Sequence, residues 1–214
     1  MKQIITHDGQ FHADEIFAIA LLFEIIGEVP ILRTRNIKIE DIDNPETWIL
    51  DVGMQYDSVL HNFDHHQDAT HEATNMLVLR ALSGSRHIKE ELFDELYSKF
   101  TTISAIDKNG TASFNGFQIN TLIKSFNQLP NGWDLALNVA RAVVQSAIEN
   151  LKQKQLFKLH TRDSKELSLI PTGKELFFHN NGFLAIYDTE QDAFEACNLL
   201  ETRDLPLKKN LQID

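Results

Sequence analysis

The chain has 214 residues, 43% of them apolar and 24% charged, enough for one substantial core or a main domain with a small appendage. Its 20 Lys and Arg against 31 Asp and Glu give a formal charge of −11, which argues against a broad basic surface that tracks many phosphates. The longest apolar-rich stretch, IFAIALLFEIIG, carries Glu24 and stops at Gly27, short of the roughly 20 residues a spanning helix needs, and the single Cys197 excludes an internal disulfide framework or a multi-Cys zinc site. The opening MKQIITHDGQ lacks the apolar h-region of a signal peptide. A cytoplasmic protein with no membrane partner is expected, and Cys197, within FEACNLL, reads as a small buried hydrophobe.

Residues 3 to 6 (QIIT) predict a short buried strand, followed by a polar loop from His7 to Phe11. From Asp14 to Ile26 the apolar residues Ile16, Phe17, Ala20, Leu21 and Ile25 recur at helical spacing, and Gly27 suits a left-handed C-cap. VPILRTR (29–35), TWILDVG (47–53) and SVLHNFDHH (58–66) read as further strands. Alternating strands and helices predict a mainly parallel α/β sheet, whose ligands lie in the crevice beyond the strands' carboxyl ends. Residues 75–127 read as mainly helical with a stop at Gly110 and a loop at 109–117, and 133–156 as a long amphipathic helix with Leu137, Ala140, Val144, Ile148 and Leu151 on its apolar face. Beyond it, KELSLIP, KELFF and FLAIY predict strands, with a hairpin at Asn180, Asn181 and Gly182, and 190–203 a terminal helix. The expected division is a main domain over 1–154 and a small α+β subdomain or sheet extension over 155–214.

Six of the nine histidines lie in the first 71 residues, which also hold 13 acidic and only 4 basic side chains. Clustered carboxylates repel one another unless a positive charge lies among them, and imidazole with carboxylate is a ligand set for divalent transition metals. The first candidate motif is His7, His12 and Asp14 in THDGQFHADE, where a loop between strand and helix can turn three donors onto one point; the same residues would also serve as helix cap and polar loop. Asp51 in ILDVG follows three apolar strand residues, where a turn-forming Asp is equally at home. His61-Asn62-Phe63-Asp64-His65-His66-Gln67 concentrates a carboxylate and two imidazoles on consecutive positions, which a solvated turn does not need. Asp107 follows an apolar run in TISAIDKNG and alone reads as a helix-end or turn residue.

In order, HDGQFHADE, ILDVG, HNFDHHQ and ISAIDKNG resemble the MYG-type (melanocyte proliferating gene) exonuclease family, a branch of the DHH phosphoesterase superfamily; LRTRN (32–36) adds to the likeness, which covers roughly residues 1–150. The resemblance implies a DHH-like sheet flanked by helices and two divalent cations, Mn²⁺ first, with Zn²⁺, Fe²⁺ and Co²⁺ as alternatives because His12 stands where the wider superfamily has Asp, making the site softer and less anionic. It implies one cation held by His7, His12 and Asp51 and the other by Asp14, Asp51, His65 and Asp107, with Asp51 between them. His66 would face the phosphate, and Asp64 would orient a histidine ring. The implied activity is two-metal hydrolysis of phosphoesters by an activated hydroxide, as a 3′-to-5′ exonuclease on short single-stranded RNA or DNA. With only 9 Gly and no glycine-rich substrate element, a small-molecule phosphatase or pyrophosphatase on the same centre is the alternative, and a non-catalytic metal-binding module a third reading. Arg33, Arg35, Lys108, Lys124 and Arg141 are candidate phosphate contacts, and Phe63 and Phe114 candidate base-stacking rings. A homo-oligomer is left open.

Overall fold

A computed structural model describes residues 1–110, 118–154, 157–161, 175–179 and 182–187. Strand β1 (Gln3–Thr6) leads into helix α1 (Ala13–Ile25), then β2 (Ile31–Arg33), a short α2 (Ile39–Ile42) and β3 (Thr47–Leu50). Two-residue strands β4 (Tyr56–Asp57) and β5 (Asn62–Phe63) follow, and then helices α3 (Thr74–Gly84), α4 (Glu90–Asn109), α5 (Ile119–Phe126) and α6 (Gly132–Lys154). The five strands form one sheet in the order β2-β1-β3-β5-β4, parallel throughout except for the antiparallel β4 edge. The expected α/β fold with a mainly parallel sheet flanked by helices is what the chain adopts.

From β1 the chain crosses to β2 on one side, and β3 then returns to the other side of β1. The order therefore reverses between β1 and β3, and such a switch point opens a crevice at the strands' carboxyl ends. Register aligns that end: Thr6 lies opposite Leu50, and Leu50 opposite Phe63. The next residues in each strand, His7, Asp51 and Asp64, accordingly leave the sheet side by side.

Helix α1 is apolar around most of its circumference, and Ala13 to Phe23 are all buried, as expected of a helix enclosed on every side. It packs against α3, α4 and α5, with Phe17 edge-on to Phe100 of α4 at 5.8 Å between ring centroids. On one sheet face, Ile5, Ile49 and Val52 pack with Ile37 and Ile42. The stripe of α6 is shifted from the expected one: Ala136, Ala140, Val144 and Ala147 are buried, while Leu137, Ile148 and Leu151 are half-buried.

Several elements differ from expectation. The strand expected over 58–66 is a two-residue pairing, because Asp57 and His61 turn the chain between β4 and β5: the Asp57 carboxylate accepts from the N–H groups of Val59 and Leu60, and His61 adopts a positive φ of 58°. The α2 turn has no apolar repeat long enough to announce it. Gly110 ends α4 at a φ of 77°, and Gly27 follows α1 at 118°, both as expected.

The chain divides into two compact units, Met1–Ile148 and Glu149–Asp214. In the second, β6 (Phe157–Thr161), β7 (Glu175–His179) and β8 (Gly182–Tyr187) form an antiparallel sheet in the order β6-β8-β7. β7 and β8 pair antiparallel with His179 opposite Gly182, so Gly182, expected in the turn, opens β8, while Asn180 and Asn181 lie outside the described residues; β6 falls just past the residues expected to end the long helix. KELSLIP, the helix expected over 190–203, Cys197 and Phe114 lie outside the described residues. Among the described residues no helix is long and apolar enough to cross a membrane.

Candidate metal centre

Three strand ends and two helices supply the centre. His7 follows β1, Asp51 follows β3, and Asp64, His65 and His66 follow β5; His12, Asp14 and Glu15 enter from the start of α1, and Asp107 from the last turn of α4. Asp51 takes a positive φ of 58°, an uncommon conformation for a residue other than Gly, and is held there by its N–H to the Phe63 carbonyl and by Thr74 Oγ1, 3.3 Å from its carboxylate. Thr74 opens α3 and also reaches the Phe63 carbonyl at 3.1 Å, so the first turn of α3 is fastened to the site.

His7 Nε2 stands 3.0 Å from Glu15 Oε1 and 3.4 Å from Asp51 Oδ2, while its Nδ1 lies 2.9 Å from the Asp8 carbonyl. Hydrogen bonding to Asp51 and Glu15 pushes His7 up to about 10. Donor atoms of His7, His12, Glu15 and Asp51 all lie within 4.8 Å of one another. His12 itself is exposed.

On the other side of Asp51, His65 Nε2 faces three carboxylates: Asp51 at 3.3 Å, Asp107 at 3.4 Å and Asp14 at 3.7 Å. That nitrogen and Asp14 Oδ1 are fully buried and make no hydrogen bond. Buried polar atoms left without partners are costly, and a convergent set of them has the character of ligands awaiting a cation. His12, Asp14 and Asp107 form a further group of donors within 4.8 Å, and Asp51, His65 and His66 another. The residues therefore fit divalent cations. Electrostatics agree: burial, then the charge of Asp51, raises Asp14 well above the usual carboxylate range, and the same two causes raise Asp107. Burial would also raise Asp51, but the imidazoles of His65, His7 and His66 beside it outweigh that and hold it low.

Asp64 is turned away from this cluster. Its Oδ1 takes His66 Nδ1 at 2.7 Å and its Oδ2 takes the Met54 N–H at 2.7 Å, so it fixes the His66 ring, whose side chain is half exposed. Asp64 raises His66, while His66 and these N–H groups hold Asp64 low against the effect of burial. All eight expected residues, His7, His12, Asp14, Asp51, Asp64, His65, His66 and Asp107, thus gather at one end of the sheet.

Sequence reasoning missed Glu15. It is fully buried, its carboxylate accepts the His12 N–H at 2.8 and 2.9 Å, and burial pushes it above its ordinary value. The only hint was its place beside Asp14 in the first turn of an otherwise apolar helix. With it four carboxylates, Asp14, Glu15, Asp51 and Asp107, converge there, while Asp64 is engaged with His66 and Met54. His61, in contrast, stacks flat on Trp48 with centroids 4.2 Å apart, away from the donors.

Among the expected phosphate contacts, Arg33 bonds the carbonyls of His7 and Gly9 and stacks on Trp133 at 4.3 Å, Lys108 bonds the carbonyls of Ala69 and His71, and Arg141 pairs with Glu24 and Glu28. Arg35 lies at the centre's edge, 3.5 Å from His7 Nδ1 and 3.3 Å from Asp8, with its side chain largely exposed. Phe63 is completely buried against Trp48 and is a core residue, not a base-stacking ring.

A family model, MYG1_exonuc, described as "Uncharacterised protein family (UPF0160)", matches residues 3–134. The chain is 31% identical over 164 residues to a MYG1 protein of Saccharomyces cerevisiae, covering 64% of this chain and 45% of that one. It is likewise 31% identical over 140 residues to the MYG1 protein of Chlamydia trachomatis, covering 61% and 46%, and 38% identical over 78 residues to the MYG1 exonuclease of Homo sapiens, covering 35% and 20%. The chain thus spans less than half the length of these curated relatives. No solved structure matches it. Because the matched stretch takes in more than half of the chain and every residue of the centre, from His7 to Asp107, the chain belongs to the MYG1 exonuclease family (UPF0160).

Proposed function

We propose that this protein is a divalent-metal-dependent phosphoesterase, acting as a 3′-to-5′ exonuclease on short single-stranded RNA or DNA. The observation that carries the reading is the pair of orphaned buried atoms, His65 Nε2 and Asp14 Oδ1, inside a ring of imidazoles and carboxylates at the sheet's switch point. His7, His12 and Asp51 would hold one cation, and Asp14, Asp51, His65 and Asp107 the other, with Mn²⁺ the first choice and Zn²⁺, Fe²⁺ or Co²⁺ the alternatives. Bound there, the pair supplies a water acidic enough to attack near neutral pH and positive charge for the phosphoryl oxygens. Asp51, facing imidazoles on both sides, would be the shared ligand. Asp64 holds His66 through Nδ1, leaving Nε2 to hydrogen-bond a phosphate oxygen. No Ser, Cys or Lys nucleophile is needed. Residues 1–154 would carry this chemistry as the main domain, with 155–214 a small α+β subdomain or sheet extension. The nucleic-acid substrate is supported by the exonuclease names of the bovine and human relatives.

A second reading is hydrolysis of a small phosphoester on the same centre. It is favoured by the commitment of Arg33, Lys108 and Arg141, three of the five expected phosphate contacts, to intramolecular partners. The test is a gel assay of the full chain with Mn²⁺ and a 5′-labelled single-stranded RNA about ten nucleotides long, with Asp107→Ala alongside. A ladder that shortens from the 3′ end and is absent in the variant is expected. An intact RNA, with phosphate released from small phosphoesters instead, would select the second reading; turnover of neither would mean a non-catalytic metal module.

A further inference from the structure

Glu15 is a buried carboxylate in contact with the centre, and none of the chemistry described so far uses it. Its position is set twice, by the His12 N–H, which meets both of its oxygens, and by His7 Nε2, 3.0 Å from Oε1. The second contact is not incidental. His7 Nδ1 is engaged by the Asp8 carbonyl, which turns Nε2 toward Glu15 and Asp51 together. Two ligand atoms that each lie about 2.0–2.2 Å from one cation stand roughly 3.0–3.5 Å apart when they occupy neighbouring coordination positions. The observed separations from His7 Nε2, 3.0 Å to Glu15 and 3.4 Å to Asp51, have that spacing.

Helix capping alone does not account for the residue. A cap at a protein surface keeps its charge in water, whereas Glu15 has no exposed surface, and a buried carboxylate is costly unless an opposite charge faces it. Charge arithmetic points the same way: Asp14, Glu15, Asp51 and Asp107 carry four negative charges, which match two divalent cations.

We propose that Glu15 is a ligand of the cation held by His7, His12 and Asp51, completing that site from the first turn of α1. This rests on the metal-centred reading above. The experiment is a Mn²⁺ titration of the full-length protein, followed by calorimetry and by the electron paramagnetic resonance of free Mn²⁺, for the wild type, Glu15→Gln and Asp107→Asn. Gln keeps a carbonyl oxygen for the His12 N–H but removes the charge. The wild type is expected to bind two equivalents. Glu15→Gln should keep one at wild-type affinity and weaken the other beyond the roughly 10- to 100-fold typical of losing a residue that only orients a ligand, whereas Asp107→Asn should weaken the opposite one. Glu15→Asp, which keeps the charge but draws it back by one methylene, should weaken the same equivalent as Glu15→Gln, and it serves as the readout if the Gln variant does not fold. Two equivalents at wild-type affinity in a folded Glu15 variant would leave Glu15 a cap and overturn the proposal. A wild type that binds fewer than two would overturn the metal-centred reading itself, a result separable from the first.

Discussion

His7, Asp14, Glu15 and Asp107 all hold protons more tightly in the folded, metal-free protein than they would in an unfolded chain. For His7 the cause is attraction to Asp51 and Glu15; for the three carboxyls it is burial, reinforced by the charge of Asp51. A group whose folded value is raised stabilises the fold while protonated, and that contribution is lost as the pH climbs from its ordinary value through its folded one. For His7 the window runs from 6.5 to about 10. Asp51 and Asp64, held low, act with the opposite sign and lose their contribution only in acid, outside this window. The melting temperature of chelator-treated protein is therefore expected to fall steadily between pH 6.5 and 10. A flat profile over that range would contradict the charge distribution described here.

Loop and helix ends hold these side chains in register. The loop from His7 to His12 has no strand or helix of its own, and it is fastened by Asn127, just past α5, whose side chain accepts the Phe11 N–H and donates to the Phe11 carbonyl, both at 2.9 Å. Arg33 at the end of β2 ties down the carbonyls of His7 and Gly9 from the other side. Asn127→Ala removes two partly buried hydrogen bonds, so a loss of about 1–3 kcal/mol is expected in urea unfolding. Because the freed loop carries His7 and His12, Mn²⁺ affinity should fall in the same variant. Unchanged affinity would mean that Arg33 alone orders the loop. Asp107 is positioned differently, by a rigid helix whose Phe100, Ile103 and Ile106 are all buried.

For the molecule as a whole, the proposed metal-centred reading links folding to cation binding. Four carboxylates gathered at the mouth of a sheet repel one another, and the fold tolerates them through imidazoles, protons or metal ions. A ligand that binds only the folded state stabilises it by mass action, by about 2.7 kcal/mol per site at a hundredfold excess over Kd. Saturating Mn²⁺ at pH 7.5 should raise the melting temperature by roughly 5–10 °C per site for a chain of this length. Mg²⁺, which prefers oxygen ligands and keeps its waters, should give a smaller shift. Equal shifts for the two ions would argue against imidazole ligation.

Much of this was legible in the sequence because it depends on local chemistry. The period of apolar residues gave α1 and the long α6, Gly27 and Gly110 marked helix ends through their freedom to take positive φ, and the concentration of His and Asp in the first 71 residues pointed to a candidate cation site. The residues of the centre were visible as motifs for the same reason: such donors serve little purpose in a solvated loop. Their meeting was decided only in three dimensions. That His7, Asp51 and Asp64 leave the sheet together follows from the register of β1, β3 and β5, which no single segment encodes. Glu15 had no motif of its own and acquired its place when α1 was buried on all sides, while Arg33, Lys108 and Arg141, cations equally apt for phosphate by type, were claimed by carbonyls and carboxylates far along the chain. Sequence sets what each side chain can do, and packing across long separations decides which partner it meets, because burial and distance are properties of the assembled core.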